Sequence, residues 1–228
     1  MSLENRKTAQ LEDPGAELLD RAQGIWERYG RIALGAVGAL VVLAVLGFFM
    51  MRSRATSEAQ AAAKLAEGNM LFWQGQYDRS LEIAKQVSTQ FGSTPSGNDA
   101  HRLAGDDLYW NAMLLNQPEK YKEAIVEYRA YLAKAKSGVL ADAARRSLAN
   151  ALESDRQFEE AAKVYEQLVG RMGRESSAEF LLAAARCYSA LGKKAEAVKP
   201  LQRIVDEFGD TSYSPSARVK LAEIQVAP

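Results

Sequence analysis

Residues 31 to 52 read RIALGAVGALVVLAVLGFFMMR, an uncharged run closed by arginine on both sides. Ile32 to Met51 is 20 residues without a charge. At about 1.5 Å of rise per residue, a helix of that length crosses a hydrocarbon core of roughly 30 Å. A core helix of a soluble domain is shorter as a rule and keeps a polar edge, which this run lacks on every face. A cleaved secretory signal is the stronger rival reading, because the small residues Ala59, Ala61 and Ala63 follow. Against it, the run is longer than a signal core and follows 31 residues of mixed charge instead of a short basic segment. The expectation is one membrane span over residues 32–51, kept in the mature protein as an anchor.

Basic residues do not orient that span, since Arg21, Arg28 and Arg31 precede it while Arg52, Arg54 and Lys64 follow at similar distances. Short stubs ahead of a first span commonly stay in the cytosol while a long domain is exported, and that orientation is the one expected here. Within the stub, residues 1–31, Asp13-Pro14 has the form of a helix start, with Asp as cap and Pro at the first helical position. Leu18, Leu19, Ala22, Ile25, Trp26 and Tyr29 then share one helical face. Trp26 and Tyr29 fall where aromatic rings favour the membrane interface, and Arg31 and Arg52 bracket the apolar run.

The 29 basic and 29 acidic residues cancel, so the chain offers no bulk field to nucleic acid or anionic lipid, and no nucleic-acid partner is expected. After residue 51 the sequence is rich in Ala, Leu, Glu, Lys and Arg, a helical composition long enough for one domain over residues 52–228. Its organisation lies in repeats. EKYKEAIVEYRAYLAK from Glu119 and RQFEEAAKVYEQLVGR from Arg156 each carry an aromatic, then Ala three residues on, then Tyr four further: Tyr121, Ala124, Tyr128 and Phe158, Ala161, Tyr165. Looser copies stand at Tyr77, Ser80, Ala84 and at Lys194, Ala197, Leu201. Nine positions before each aromatic slot sits a small residue, Gly68, Ala112, Ala149 or Ala185, in a second helical stretch. These are helix pairs, in which the small residue lets the first helix approach the second closely.

The pattern resembles the tetratricopeptide repeat family over roughly residues 58 to 228, with offsets of 44, 37 and 36 residues where that family has about 34. The resemblance implies an all-α fold: a solenoid of about four helix pairs behind a single transmembrane helix. SPSARVKLAEIQVAP repeats the first-helix pattern once more, with Ala222 in the small slot, and is expected to cap the array. FGSTPSGNDAHR, residues 91–102, reads as a surface loop because it is rich in Gly, Ser, Pro and Asn.

Signatures of catalysis are missing from the sequence: there is no HExxH, no GxSxG, no phosphate-binding glycine loop and no CxxC pair. The chain is expected to be no enzyme and to need no cofactor or metal. His101 reads as a solvated loop histidine, Cys187 as a packing residue, and Asp106-Asp107 as carboxylates favouring the dipole near a helix start. What remains is surface. In tetratricopeptide arrays the first helices line a concave groove, and by resemblance its slots here are Leu65 and Asn69, Tyr109 and Met113, Arg146 and Asn150, and Leu182 and Arg186. Aromatic and methionine side chains would give adaptable apolar contact, Asn would bond an extended backbone, and the arginines would hold a carboxylate. Arg146 with Asn150 is similar to half of the carboxylate clamp of chaperone-binding members; the matching slot of the next repeat is Ala183.

A cytosolic stub, one span and an exported array look like the membrane-anchored ancillary subunit of the bacterial Sec translocon. That resemblance implies a single-pass inner-membrane protein with periplasmic repeats, whose partners are translocon subunits, exported chains or periplasmic chaperones. EFGDTSYSPSARVKLAEI also resembles repeats of periplasmic cell-division and outer-membrane-assembly factors, with Gly209 where those usually have Pro. The alternatives are a scaffold for envelope assembly or cell division and, with the opposite topology, a membrane-tethered cytosolic adaptor. Gly35 and Ala39 have the spacing of close helix packing in membranes.

Overall fold

The computed structural model describes residues 14–226, which form nine α-helices and, among the described residues, no strand. The chain divides into two compact units, one ending at Ala55 and the other beginning at Thr56. Helix α1 runs unbroken over Pro14–Trp73, where the sequence reading has three separate segments. No Gly or Pro stands between Gly47 and Gly68, so nothing interrupts the ladder past the apolar run. The expected cap Asp13 lies outside the described residues.

In the first unit, α1 is long and apolar enough to cross a membrane, and none of its apolar stretch is buried. Leu18, Leu19, Ile25, Trp26 and Tyr29 are exposed. The Trp26 ring lies over the backbone of Gly30, where an added Cβ would meet it at 3.2 Å.

The second unit is an array of helix pairs. The end of α1 pairs with α2 (Tyr77–Gln90), α3 (Pro95–Leu114) with α4 (Glu119–Lys134), α5 (Val139–Ser154) with α6 (Phe158–Leu168), and α7 (Arg174–Ala190) with α8 (Lys194–Glu207). Helix α9 (Ser214–Val226) closes the array against α8. The small slots Gly68, Ala112, Ala149 and Ala185 are all buried, as are their counterparts Ser80, Ala124, Ala161 and Ala197 on the second helices. Beneath the first of these contacts the Ser80 hydroxyl lies 3.0 Å from the Gly68 carbonyl oxygen. Tyr128, Tyr165 and Leu201 then fill the space between pairs. Ala222 is exposed.

Residues 91–102 are not the expected loop. Thr94 caps α3, its hydroxyl accepting the Gly97 N–H at 3.0 Å, and Pro95 occupies the first turn. Ser96, Gly97 and Asn98 are buried. A Cβ on Gly97 would meet the Phe91 carbonyl oxygen at 1.8 Å, so glycine here serves a close backbone approach. Glu58 on α1 accepts both the Ser96 N–H at 3.1 Å and the Ser96 hydroxyl at 2.7 Å. Burial raises the pKa of Glu58, but these bonds and one from Thr94 outweigh it and hold the carboxyl below its usual range. The same device returns at the far end, where Glu175 on α7 accepts the Ser212 N–H and hydroxyl at 3.2 and 3.1 Å, just ahead of α9.

The turn inside each pair places one residue in the left-handed region: Gly75, Asn116, Arg156 and Gly192, with φ of 74, 53, 64 and 70°. Only at Arg156 does a long side chain bear that conformation, which costs an L-residue about 1–2 kcal/mol before the entropic cost of glycine is set against it. Arg156→Gly is therefore expected to stabilise the chain by about 0.5 kcal/mol and Gly192→Ala to destabilise it by about 1 kcal/mol, read as opposite shifts of the thermal midpoint.

Candidate protein-binding face

The first helices carry the residues that the sequence proposes for binding, and their surroundings divide them into three groups. Leu65 is only 7% exposed and packs with Ala61, Ala84, Val87 and Leu103, so it builds core instead of facing a ligand. Asn69 is half-buried and donates from Nδ2 to the Leu65 carbonyl at 2.9 Å, and Leu182 is half-buried against the last core cluster.

The two arginines are held within the fold. Arg146 donates to Glu179 Oε1 at 2.8 Å. Arg186 grips Glu153 with two parallel bonds, Nε to Oε1 at 2.5 Å and Nη2 to Oε2 at 2.8 Å. Burial raises the pKa of Glu153, but the Arg186 bonds and charge, with the Tyr165 hydroxyl, bring it below the usual range. The Tyr165 oxygen lies 2.7 Å from Asn150 Oδ1 and 2.9 Å from Glu153 Oε2, one proton serving both acceptors. A carboxylate ligand would have to displace these acids, which the clamp expectation did not include. Their partners stand 33 residues apart, one repeat away on the neighbouring first helix.

Tyr109 and Asn150 form the third group, because they line a common recess of about 150 Å³ with Asp106, Trp110, Tyr128 and Ser147. Helix α3 supplies Asp106, Tyr109 and Trp110, α5 supplies Ser147 and Asn150, and Tyr128 of α4 closes the base. Met113 is 45% exposed one turn along α3, and Trp110 is 36% exposed. The Tyr128 ring lies against Gly105, where a Cβ would meet it at 2.7 Å, so only glycine lets the ring reach this position. Trp110 also stacks on Tyr77 at 6.1 Å, and Tyr109 meets Tyr121 at 5.5 Å, fixing both side chains. Sequence reading missed Asp106, Trp110, Tyr128 and Ser147 as lining residues. The signal was present: positions 106, 109, 110 and 113 share one face of a helix.

Asp106 and Asp107 sit in mid-helix, not at a helix start as expected. Asp106 accepts the Tyr128 hydroxyl and the Arg102 guanidinium, each at 2.8 Å. Asp107 is fully buried against Ser80, with Oδ2 at 2.8 Å from the Ser80 hydroxyl and Oδ1 without a partner. Burial pushes its carboxyl up to about 8; Ser80 offsets this in part, while Asp106 and Asp78 add to it. A protonated Asp107 resolves the geometry, because it donates to Ser80 Oγ and frees the single serine proton for the Gly68 carbonyl.

His101 lies on α3, not in a loop, with Nδ1 at 2.7 Å from Glu127 Oε2. Cys187 is buried, and burial pushes its thiol up to about 12. Among the described residues no three His, Cys, Asp or Glu side chains are grouped to hold a metal ion.

The tetratricopeptide repeat family matches residues 179–211, within α7 and α8 and the turn after them. No curated protein matches the chain. Among solved structures it is similar to a Podosopora anserina protein described as a kinesin light chain with nearly identical TPR-like repeats, at 21% identity and a TM-score of 0.55, over 73% of this chain and 86% of that one. A single-substitution variant of that protein is similar at 20% identity and a TM-score of 0.52, over 73% and 85% of the two chains. The fold is thus a TPR-like α-solenoid.

The buried carboxyl gives a pH test of this packing. Its pKa of about 8 lies above the unfolded value near 3.9, so its contribution to stability is full below about pH 4 and is lost as pH rises to about 8. Asp107→Asn keeps a donor toward Ser80 and removes the titration. The variant is expected to be about 1–3 kcal/mol more stable than the parent at pH 8.5, with the difference falling steadily toward pH 5 in denaturation curves.

Proposed function

We propose that this chain is a non-catalytic, membrane-anchored protein-interaction module that captures partner polypeptides on the face of its first helices. The observation that carries this reading is the meeting of Tyr109, Trp110 and Asn150 from two first helices around one open recess, with Met113 exposed beside it. Rigid aromatic side chains and a methionine present adaptable apolar contact, and Asn and Ser offer bonds to an extended backbone. The uncharged stretch of α1, exposed along its length and bracketed by Arg31 and Arg52, supports a membrane anchor seated by Trp26 and Tyr29.

In the finer form of the proposal the anchor lies in a bacterial inner membrane, the stub of residues 1–31 is cytosolic, and the array is periplasmic. Its partners are then translocon subunits, exported chains or periplasmic chaperones. Support for this comes from the order of parts along the chain: stub, span, helix pairs.

Two measurements test the proposal. Protease added to intact spheroplasts is expected to remove a C-terminal epitope; protection until the membrane is lysed would overturn the export reading in favour of a cytosolic adaptor. The paired change Trp110→Ala with Met113→Ala is expected to lower recovery of crosslinked translocon subunits or exported chains by about tenfold with the helical circular dichroism retained, the thermal midpoint falling as the Trp110–Tyr77 stack is lost. Undiminished recovery would remove the first-helix face from the account.

A further inference from the structure

Helix α1 carries an apolar face beyond both ends of the membrane question, from the stub into the span. Leu18, Ala22, Ile25 and Tyr29 follow one another at steps of four, three and four residues. The same alternation enters the uncharged run at Ile32, Ala36 and Ala39, and all these positions are exposed on one unbroken helix. Steps of three and four, sustained in this way, make the seam of a left-handed helix pair. Asp20, Arg21, Glu27, Arg28 and Arg31 all stand off it. Seating in the membrane interface does not account for the whole face. From Ile32 back to Leu18 the helix axis runs about 21 Å at about 1.5 Å per residue. The polar zone outside the hydrocarbon is only about 5–8 Å deep on each side. Trp26 and Tyr29 stand near that zone, whereas Leu18 and Ala22 extend past it into water, where exposed apolar surface is costly.

Whatever covers this face runs beside α1 in both media, as a helix that leaves the membrane on the same side. A second copy of the chain meets that condition by its own insertion: it lies parallel and sets each seam residue against its counterpart. Ala36 and Ala39, with Gly35 beside them, let two spans approach closely. In that parallel register the flanking Arg21 and Arg28 fall opposite Trp26 and Ala33 of the second copy, so no like charges meet across the seam. We infer that α1 pairs in parallel with α1 of a second copy, along the seam that starts at Leu18 and enters the membrane at Ile32. The inference rests on the reading of α1 as a membrane anchor and adds to it what the anchor binds. Each anchored pair then carries two arrays.

The test places single cysteines in the full-length chain in membrane vesicles oxidised with copper phenanthroline, with the parent chain, whose Cys187 is buried, as control. Ile25→Cys, on the seam, is expected to give at least about tenfold more disulfide-linked dimer than Glu27→Cys on the opposite side of the helix. Adding Ala36→Leu and Ala39→Leu to Ile25→Cys is expected to cut the dimer about fivefold. Equal yields from positions 25 and 27 overturn the seam. No dimer from Ile25→Cys in a chain that stays membrane-bound overturns the second copy as occupant. A photocrosslinker at position 25 that gives products with other proteins alone does the same, assigning the face to a different spanning protein. Release of the chain from the vesicles by alkaline carbonate would instead overturn the anchor reading, and this inference with it.

Discussion

Close approach of two helices at a small residue is the contact on which the array depends. Gly68, Ala112, Ala149 and Ala185 on the first helices are buried opposite Ser80, Ala124, Ala161 and Ala197 on the second, and no larger side chain would leave the axes near enough. That spacing positions Tyr128 and Tyr165 in the gap to the neighbouring pair and Phe180 and Leu201 further along. It also sets α3 beside α5, so that side chains from two repeats meet in one recess. The recess is a product of this packing geometry: no single repeat holds it.

Charge plays a second, subordinate part. Ion pairs link neighbouring repeats along both helix layers: Arg146 to Glu179 and Arg186 to Glu153 between first helices, Arg129 to Glu160 between second helices. Exposed pairs of this kind contribute little to stability one by one. Their effect on chemistry is larger, since they occupy the cations that an acidic ligand would need.

Periodicity made the array legible. A small residue nine positions ahead of the aromatic slot of each second helix located all four pairs, because that small slot is buried in each of them; the closing helix follows the same first-helix pattern although its Ala222 is exposed. Composition misled at residues 91–102, where Thr94, Pro95, Ser96, Gly97 and Asn98 look like a turn. The same residues are the cap and crowded first turns of α3, and their burial depends on Glu58, 38 residues away from Ser96. Burial was equally hidden for Asp107, whose serine partner lies 27 residues off on another helix. The groove slots transferred by resemblance met a similar limit. Of those slots Tyr109 and Asn150 line the recess, whereas Leu65 is buried and the arginines are paired, because side-chain partners on other helices are not visible in a slot pattern.

The two units of the chain expose apolar surface in different ways. The first unit exposes a continuous uncharged stretch, the arrangement that lipid rewards; the array exposes apolar side chains beside carboxylate, amide and hydroxyl groups, the arrangement that a polypeptide rewards. The claim that binding belongs to the first-helix face is tested most directly by a photocrosslinking amino acid placed at position 113 and, separately, at Val126, which is 62% exposed on the second helix of the same pair. In intact cells the account predicts discrete crosslinked products from position 113 and little from 126. Equal or stronger crosslinking from 126 would contradict it and move the binding surface to the second helices.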